Sequence, residues 1–137
     1  DCRVGGCHGR TAIWNGLGPI HSLSMAFGDS PLHHGTLVTV AMPAVMRYYD
    51  GLPGRKLQHV AAAMGLQADR DAGARIAAEV ERLNAVLGLP ASVRALGYTK
   101  SDIGRMAAEA HRAYFNLTAP RQPTLADFER LIVEVLG

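Results

Sequence analysis

Hydrophobic and polar residues recur along most of the chain at the three- and four-residue spacing of amphipathic α-helices. Segments rich in alanine and charged residues follow one another, and glycine and proline separate them. No stretch shows the strict alternation of Val, Ile and Thr with polar residues that predicts a β-strand. The pattern therefore predicts an all-α protein of roughly six to eight helices.

One segment lacks a polar face altogether. The run TLVTVAMPAVMRYY, which follows "HHG", is apolar almost all round. A helix of this kind is buried on every side, so the segment is predicted to form the central helix of the core. Pro43 lies inside it and removes one backbone donor, which predicts a kink at that point.

Four further helices are predicted from apolar periodicity and from the residues that begin and end helices. The first ends at Gly65 and the second at Gly88. The third begins at Thr99, three residues before Asp102 in a pattern like a capping box, and the last begins at Thr124. The apolar positions at helical spacing are Leu57, Val60, Ala61 and Met64 in the first helix, Ile76, Val80, Leu83 and Leu87 in the second, and Leu125, Phe128, Leu131, Ile132 and Val135 in the last.

The composition is that of a globular protein with a sizeable core. The chain has 137 residues, of which 48% are hydrophobic, and this length suits one domain over residues 1–137. Its formal net charge is +2, from 14 basic and 12 acidic residues scattered along the sequence. Such a balance predicts no nucleic-acid groove and no basic membrane-binding face.

Two further features favour a soluble, cytoplasmic protein. The longest apolar run, residues 36–46, is far too short to cross a bilayer, and no signal peptide opens the chain. Cys2 and Cys7 are the only cysteines, which is too few for a disulfide framework or a four-ligand zinc site. Because the chain starts at Asp1 without an initiating Met, we expect it to be part of a longer protein.

Three of the six histidines, His21, His33 and His34, lie close together in the sequence. Neutral imidazoles are good ligands for divalent transition metals. Gly28 and Pro31 permit a tight reversal that brings the first turns of two successive helices side by side. A single helical histidine is more often a structural residue of the core or surface, so both interpretations stay open on the residues alone.

Four stretches of the chain resemble the iron-containing (group III) alcohol dehydrogenases. GLGPIHSLSMAFG and HHGTLVTVAMPAVMRYY are similar to the histidine-rich signature of that family. LGLPASVRALGYTKSDIGRMAAEA resembles its Leu-Gly-Leu-Pro segment, and APRQPTLADFERLIVEVLG resembles the start of its terminal helix. The resemblance covers nearly the whole chain but only the C-terminal part of the family's length. It implies a dehydroquinate synthase-like helical domain without the family's N-terminal Rossmann-like domain.

The resemblance also implies a metal site. His21 matches the first signature histidine and His34 matches the second, and in the family both bind the catalytic Fe²⁺ or Zn²⁺. His33 competes with His34, because the gap before them is one residue shorter than expected; His34 is preferred because it directly precedes Gly35. The family's other two ligands, an Asp and a His on an earlier helix, would precede Asp1.

The family resemblance implies an alcohol dehydrogenase that interconverts an alcohol and an aldehyde or ketone with NAD or NADP. With two of four metal ligands, the isolated chain is expected to hold metal weakly and to be inactive. Apolar residues of the segment 13–27 are expected to be exposed, because the earlier helices and the N-terminal domain of the family would cover them. We therefore expect a homo-oligomer with Trp14 near the contact. The alternative is a non-catalytic helical interaction module derived from the same scaffold. The sequence does not identify the alcohol, and it does not distinguish iron from zinc or NAD from NADP.

Structural interpretations account for the remaining candidate residues. Cys7 beside His8 is interpreted as a free thiol, and His59 and His111 as surface residues. Arg121 is expected to hydrogen-bond loop carbonyls near the last helix. Met25 stands where the family commonly has another histidine, implicated in proton relay, so that role is not carried over. The methionines at spacings typical of a helical core are Met25, Met42, Met46 and Met64.

Overall fold

The structure is a computed structural model that describes residues 17–137, and every regular element in this range is helical. The α-helices are α1 (Gly18–Ala26), α2 (His34–Tyr48), α3 (Lys56–Ala63), α4 (Ala72–Val86), α5 (Ile103–Arg112) and α6 (Leu125–Leu136). Short 3-10 turns lie at Arg94–Leu96 and Tyr114–Thr118. The prediction of an all-α fold is confirmed. No helix in the described part of the chain is long and apolar enough to cross a membrane.

α2 lies at the centre of the fold, where it packs against α1, α4 and α6. Its buried hydrophobic residues are Leu37, Val40, Ala41, Ala44 and Val45. They join a core that also takes side chains from α1, α5 and α6. The prediction of a central buried helix is confirmed, and this packing determines where the first residue of α2, His34, meets α1.

α2 continues through Pro43 as a single helix from His34 to Tyr48. Proline has no backbone N–H, so the carbonyl of Thr39, four residues earlier, loses its partner in the helical ladder. The side chain of Asn84, buried on α4, donates its amide to this carbonyl at 3.1 Å. Because an unsatisfied buried acceptor costs about 1–3 kcal/mol, Asn84 makes the internal proline tolerable.

The end of α2 lies against the beginning of α4. Both oxygens of the Asp50 carboxylate accept backbone N–H groups there, from Gly73 at 2.6 Å and from Ala74 at 2.8 Å. A Cβ atom at Gly73 would lie 2.3 Å from the backbone oxygen of Met46. Glycine is therefore required where the two helices meet, and the carboxylate stabilises the positive end of the α4 dipole.

The sequence predicts a helix from Thr99, but α5 begins at Ile103. The expected contact does form, because the Thr99 N–H and hydroxyl donate to the Asp102 carboxylate at 2.8 and 2.9 Å. It closes a turn ahead of the helix, since this side-chain contact stabilises turns as well as helix starts. For α6 the prediction is correct: Thr124 is the N-cap and forms a capping box with Asp127.

Several positions predicted at core spacing are exposed instead. They are Met25, Val60, Met64, Leu83, Leu87 and Leu125, with 37–70% of their surface accessible. α3 packs mainly on α4, so it buries only a narrow stripe at Ala61. Leu87 follows the last residue of α4, where the helical spacing no longer applies. The rest of the predicted α6 face is buried.

Within the segment 13–27, the described residues 17–27 are more buried than the sequence predicts. Leu23 and Phe27 are fully buried in the main core, and Ile20 is half-buried. Their burial follows from the contacts of α1 with α2 and α5. The other residues singled out near the start of the chain, Cys2, Cys7, His8, Ile13 and Trp14, lie outside the described residues.

Candidate metal centre

His21 and His34 come together where α1 meets α2. His21 lies on α1 and His34 is the first residue of α2. Their ring centroids are 4.6 Å apart, and the ring planes are inclined at 75°. The chain therefore reverses between α1 and α2, as Gly28 and Pro31 predict, and brings the two rings together. Metal binding by the two rings stays a prediction.

His33 has a different position from its neighbour. It is the N-cap of α2, and its ring atom Nδ1 accepts the backbone N–H of Gly35 at 3.1 Å. A side chain that accepts a first-turn N–H satisfies one of the unpaired donors at a helix start. The geometry thus gives His33 a capping role and turns His34 toward His21.

The loop between α1 and α2 is tied to the rest of the fold by Tyr98. The Tyr98 hydroxyl donates to the Asp29 carboxylate at 2.5 Å, and its ring packs edge-on against Phe27. Burial, together with the hydrogen bond and charge of Asp29, raises the pKa of Tyr98 to about 12. Tyr98 therefore stays a neutral donor at ordinary pH. Sequence reasoning missed this residue, since Tyr98 and Asp29 are 69 positions apart.

The ring of Phe115 also packs against His21. The two ring centroids are 4.3 Å apart with the planes inclined at 75°. Phe115 belongs to the 3-10 turn Tyr114–Thr118, which is held by the buried amide of Asn116. That amide accepts the Ser22 hydroxyl at 2.8 Å and donates to the carbonyls of Ala110 and His111 at 2.8 and 3.2 Å. The network was not predicted from the sequence.

The half-buried position of His21 favours its neutral form. Burial, and next the neighbouring His34, lower the pKa of His21 below the ordinary imidazole value. Neutral imidazole is the form whose ring nitrogen binds a metal. His34 is exposed, so the pair opens toward solvent on its side.

The donor set fits part of a metal shell. Two neutral imidazoles suit Fe²⁺ or Zn²⁺, and catalytic zinc sites use three protein ligands and one open position. Within residues 17–137, no group of three or more His, Cys, Asp or Glu side chains converges in a way that could hold a metal. The described residues therefore offer two candidate ligands and no complete metal shell.

The other candidate residues have structural positions. His59 and His111 are exposed, as predicted. Arg121 was expected to bind loop carbonyls, and this prediction is wrong for the described residues. Its guanidinium instead lies 3.9 Å from the ring centroid of Tyr48, a cation–π contact that ties the loop before α6 to α2.

Comparison with known proteins identifies relatives of this chain. The family model for the C-terminal domain of the Fe-containing alcohol dehydrogenase family matches residues 13–136. The chain is 33% identical over 130 residues to 4-hydroxybutyrate dehydrogenase of Cupriavidus necator, covering 90% of this chain and 34% of that protein. It is 31% identical over 123 residues to lactaldehyde reductase of Escherichia coli K12, covering 85% and 32%.

Solved structures show the same helical arrangement. The crystal structure of a 1,3-propanediol oxidoreductase superposes with a TM-score of 0.77 at 26% identity and covers 87% of this chain. An alcohol dehydrogenase from Oenococcus oeni superposes with a TM-score of 0.76 at 23% identity, which shows a shared fold. The chain spans about a third of the length of the relatives it matches.

Proposed function

The chain belongs to the Fe-containing alcohol dehydrogenase family, and we propose that it forms the helical metal-binding part of an enzyme that interconverts an alcohol and an aldehyde or ketone. The curated relatives are oxidoreductases of small alcohols and carbonyl compounds by name, which supports the proposed reaction class. Because the chain spans about a third of their length, the activity of a whole enzyme is part of the proposal. Residues 1–137 are proposed to be one domain of that enzyme.

The approach of His21 to His34 is the observation that carries the proposal. Metal–nitrogen bonds of about 2.0–2.1 Å require ring nitrogens roughly 3 to 4 Å apart. A separation of 4.6 Å between the ring centroids is compatible with ring nitrogens at that distance. Because His33 caps α2, His34 is the histidine of the pair that is left to act as a ligand.

The metal would polarise the alcohol or carbonyl oxygen as a Lewis acid, and NAD or NADP would accept or supply the hydride. The chain's own residues would prepare the ligands. Phe115 packs edge-on against the ring of His21, and burial lowers the pKa of that ring, which favours its neutral form. Met25 lies one helical turn beyond His21, and its thioether has no exchangeable proton to relay.

A zinc titration of the 137-residue chain tests the two ligands. Isothermal titration calorimetry with Zn²⁺ is expected to show weak binding, because two side chains rarely hold the ion tightly. His21→Ala and His34→Ala should each abolish the binding. His33→Ala and the exposed His59→Ala are the matched controls and should leave it in place. Binding that survives His34→Ala and disappears with His33→Ala would reverse the assignment.

Self-association is a separate part of the proposal. Met25, Tyr114 and Leu117 have 46–72% of their surface exposed, and the turn that carries Tyr114 and Leu117 packs on α1. Exposed apolar side chains of this kind favour contact with a second copy. Sedimentation of the wild-type chain should show a dimer or larger species, and Leu117→Lys should shift it toward the monomer. A monomer at every concentration would favour a self-sufficient interaction module.

A further inference from the structure

Ser24 contacts both histidines of the pair and has no part in the ligand assignment above. It is on α1 and fully buried. Its hydroxyl oxygen is 2.8 Å from the backbone oxygen of His21 and 3.5 Å from Nδ1 of His34. Ser24 therefore contacts both halves of the histidine pair, through the backbone of one and the ring of the other.

The hydroxyl has one hydrogen and two lone pairs, which limits how it can serve both neighbours. A carbonyl oxygen only accepts, so the short contact to His21 takes the hydroxyl hydrogen. The oxygen can then only accept from the His34 ring. It does so when the single N–H of neutral His34 is on Nδ1, whereas hydrogen on Nε2 would set two lone pairs against each other.

We infer that Ser24 is a positioning residue that biases His34 toward the Nδ1–H tautomer and so leaves the lone pair on Nε2 for a metal. Histidine ligands commonly donate their second ring N–H to a nearby acceptor, which fixes the ring orientation and its tautomer. The 3.5 Å separation is long for such a bond, so its effect is a bias between tautomers rather than a rigid lock. The metal part of the inference rests on the proposed function, and the tautomer part does not.

His33 supplies an internal comparison, because its hydrogen bond requires the opposite tautomer. Its Nδ1 accepts the N–H of Gly35, so neutral His33 has its hydrogen on Nε2. Two adjacent histidines are thus expected in opposite tautomers. Ser22 supplies the matched control, since it is also a fully buried serine of α1, but its hydroxyl donates to Asn116 and makes no hydrogen bond to a histidine ring within residues 17–137.

Nitrogen NMR of the metal-free chain tests the inference directly. Long-range proton–nitrogen spectra of chain with ¹⁵N-labelled histidine, at about pH 8.5 where imidazole is neutral, distinguish the protonated ring nitrogen from the bare one. His34 should be mainly Nδ1–H and His33 mainly Nε2–H. Ser24→Ala should move His34 toward Nε2–H, and Ser22→Ala should not. A wild-type His34 that is mainly Nε2–H, or one unaffected by Ser24→Ala, would overturn the inference.

A conservative variant and a metal titration complete the test. Ser24→Cys preserves the packing with a weaker acceptor, so it should shift His34 in the same direction even where Ser24→Ala does not fold. Zn²⁺ affinity should fall about tenfold in Ser24→Ala, the scale seen when a ligand's second partner is removed. Absence of Zn²⁺ binding in the wild type would contradict the proposed metal site but leave the tautomer result standing. Equal Zn²⁺ affinity in wild type and Ser24→Ala, with the tautomer shifted, would overturn the metal part alone.

Discussion

Two regions that both involve α2 differ in whether their polar side chains have hydrogen-bond partners on a neighbouring helix. In the histidine corner, formed by His21, His33 and His34, the rings of His21 and His34 meet edge-on, and no group of three metal-binding side chains converges there within residues 17–137. In the α2–α4 junction, formed by Thr39, Asp50, Gly73 and Asn84, polar side chains pair with backbone groups of the neighbouring helix. The rings of the histidine corner remain available for a ligand, whereas the polar side chains of the α2–α4 junction join two helices.

The difference separates residues that hold the fold from residues available for a ligand. A buried polar group without its partner is destabilising, so each change at the α2–α4 junction should lower the free energy of unfolding. An exposed ring with open ligand positions contributes little to stability. Substitutions of similar size should therefore lower the free energy of unfolding more at the α2–α4 junction than in the histidine corner.

The largest effect is expected from Gly73→Ala. The new Cβ would lie 2.3 Å from the backbone oxygen of Met46 and 2.4 Å from a carboxylate oxygen of Asp50, so the two helices must move apart. We expect a loss of about 3 kcal/mol in urea unfolding, typical of overpacking. Gly104→Ala on α5 is the matched control, because its Cβ meets nothing within 4 Å. It should stabilise the chain by about 0.5–1 kcal/mol. Equal effects of the two substitutions would contradict the close approach.

Asn84→Leu should have the next largest effect. It removes the donor to the Thr39 carbonyl and should cost about 2 kcal/mol. Pro43→Ala restores the missing backbone N–H to the same carbonyl. In the double variant the cost of Asn84→Leu should therefore fall by about 1 kcal/mol, measured as a double-mutant cycle. Additive free energies would show that Asn84 does not compensate for the proline.

Two tyrosines allow a smaller test of the comparison. The Tyr98 hydroxyl donates to Asp29 beside the histidine corner, whereas the buried hydroxyl of Tyr49, after the end of α2, has no partner among residues 17–137. Tyr98→Phe should cost about 1 kcal/mol. Tyr49→Phe should leave the unfolding free energy equal or higher, because it removes a buried polar atom. A larger loss for Tyr49→Phe would contradict the assigned hydrogen bonding.

Both tyrosines should also make the chain sensitive to alkali. Burial raises the pKa of Tyr49 to about 12, and burial with the Asp29 contact raises that of Tyr98 to about 12. Since the folded pKa lies above the unfolded value of about 10, the stabilisation is complete below pH 10 and is lost as pH rises toward 12. Unfolding free energies over that window should fall less steeply in either Phe variant than in the wild type.

The smallest effect on stability is expected in the histidine corner. His34 is exposed, so His34→Ala should change the unfolding free energy by no more than about 0.5 kcal/mol. The same substitution is expected to abolish Zn²⁺ binding, which separates ligand binding from folding. A loss of stability comparable with that of Asn84→Leu would place His34 among the structural residues and remove the contrast between the regions.

Much of the fold was predictable because its signals are local. The apolar run around Pro43 predicts the central helix, and Thr124 with Asp127 predicts the start of α6. These features depend on residues within one or two helical turns. The exposed faces of α3 and α4 were not predicted, since periodicity shows which residues share a face but not how widely another helix covers it.

The residues of the candidate site were likewise predictable only in part. His21 and His34 were identified from their spacing, the turn between them and the family resemblance, and the structure brings their rings together. Phe115 and Tyr98 were not identified, because nothing near them in the sequence indicates what they contact. Their partners, His21 and Asp29, lie 94 and 69 residues away along the chain.

The sequence by itself determined the helical class, the central position of α2 and the pair of candidate ligands, because each follows from short-range periodicity, turn chemistry or motif. Only the tertiary structure showed that His33 caps α2 while the His34 ring meets His21, and only it revealed the contacts of Asn84 with Thr39 and of Ser24 with His34. These contacts join residues on different elements, or select which way a side chain turns at a helix start. Such choices depend on the packing of whole helices, and no local pattern of residues encodes them.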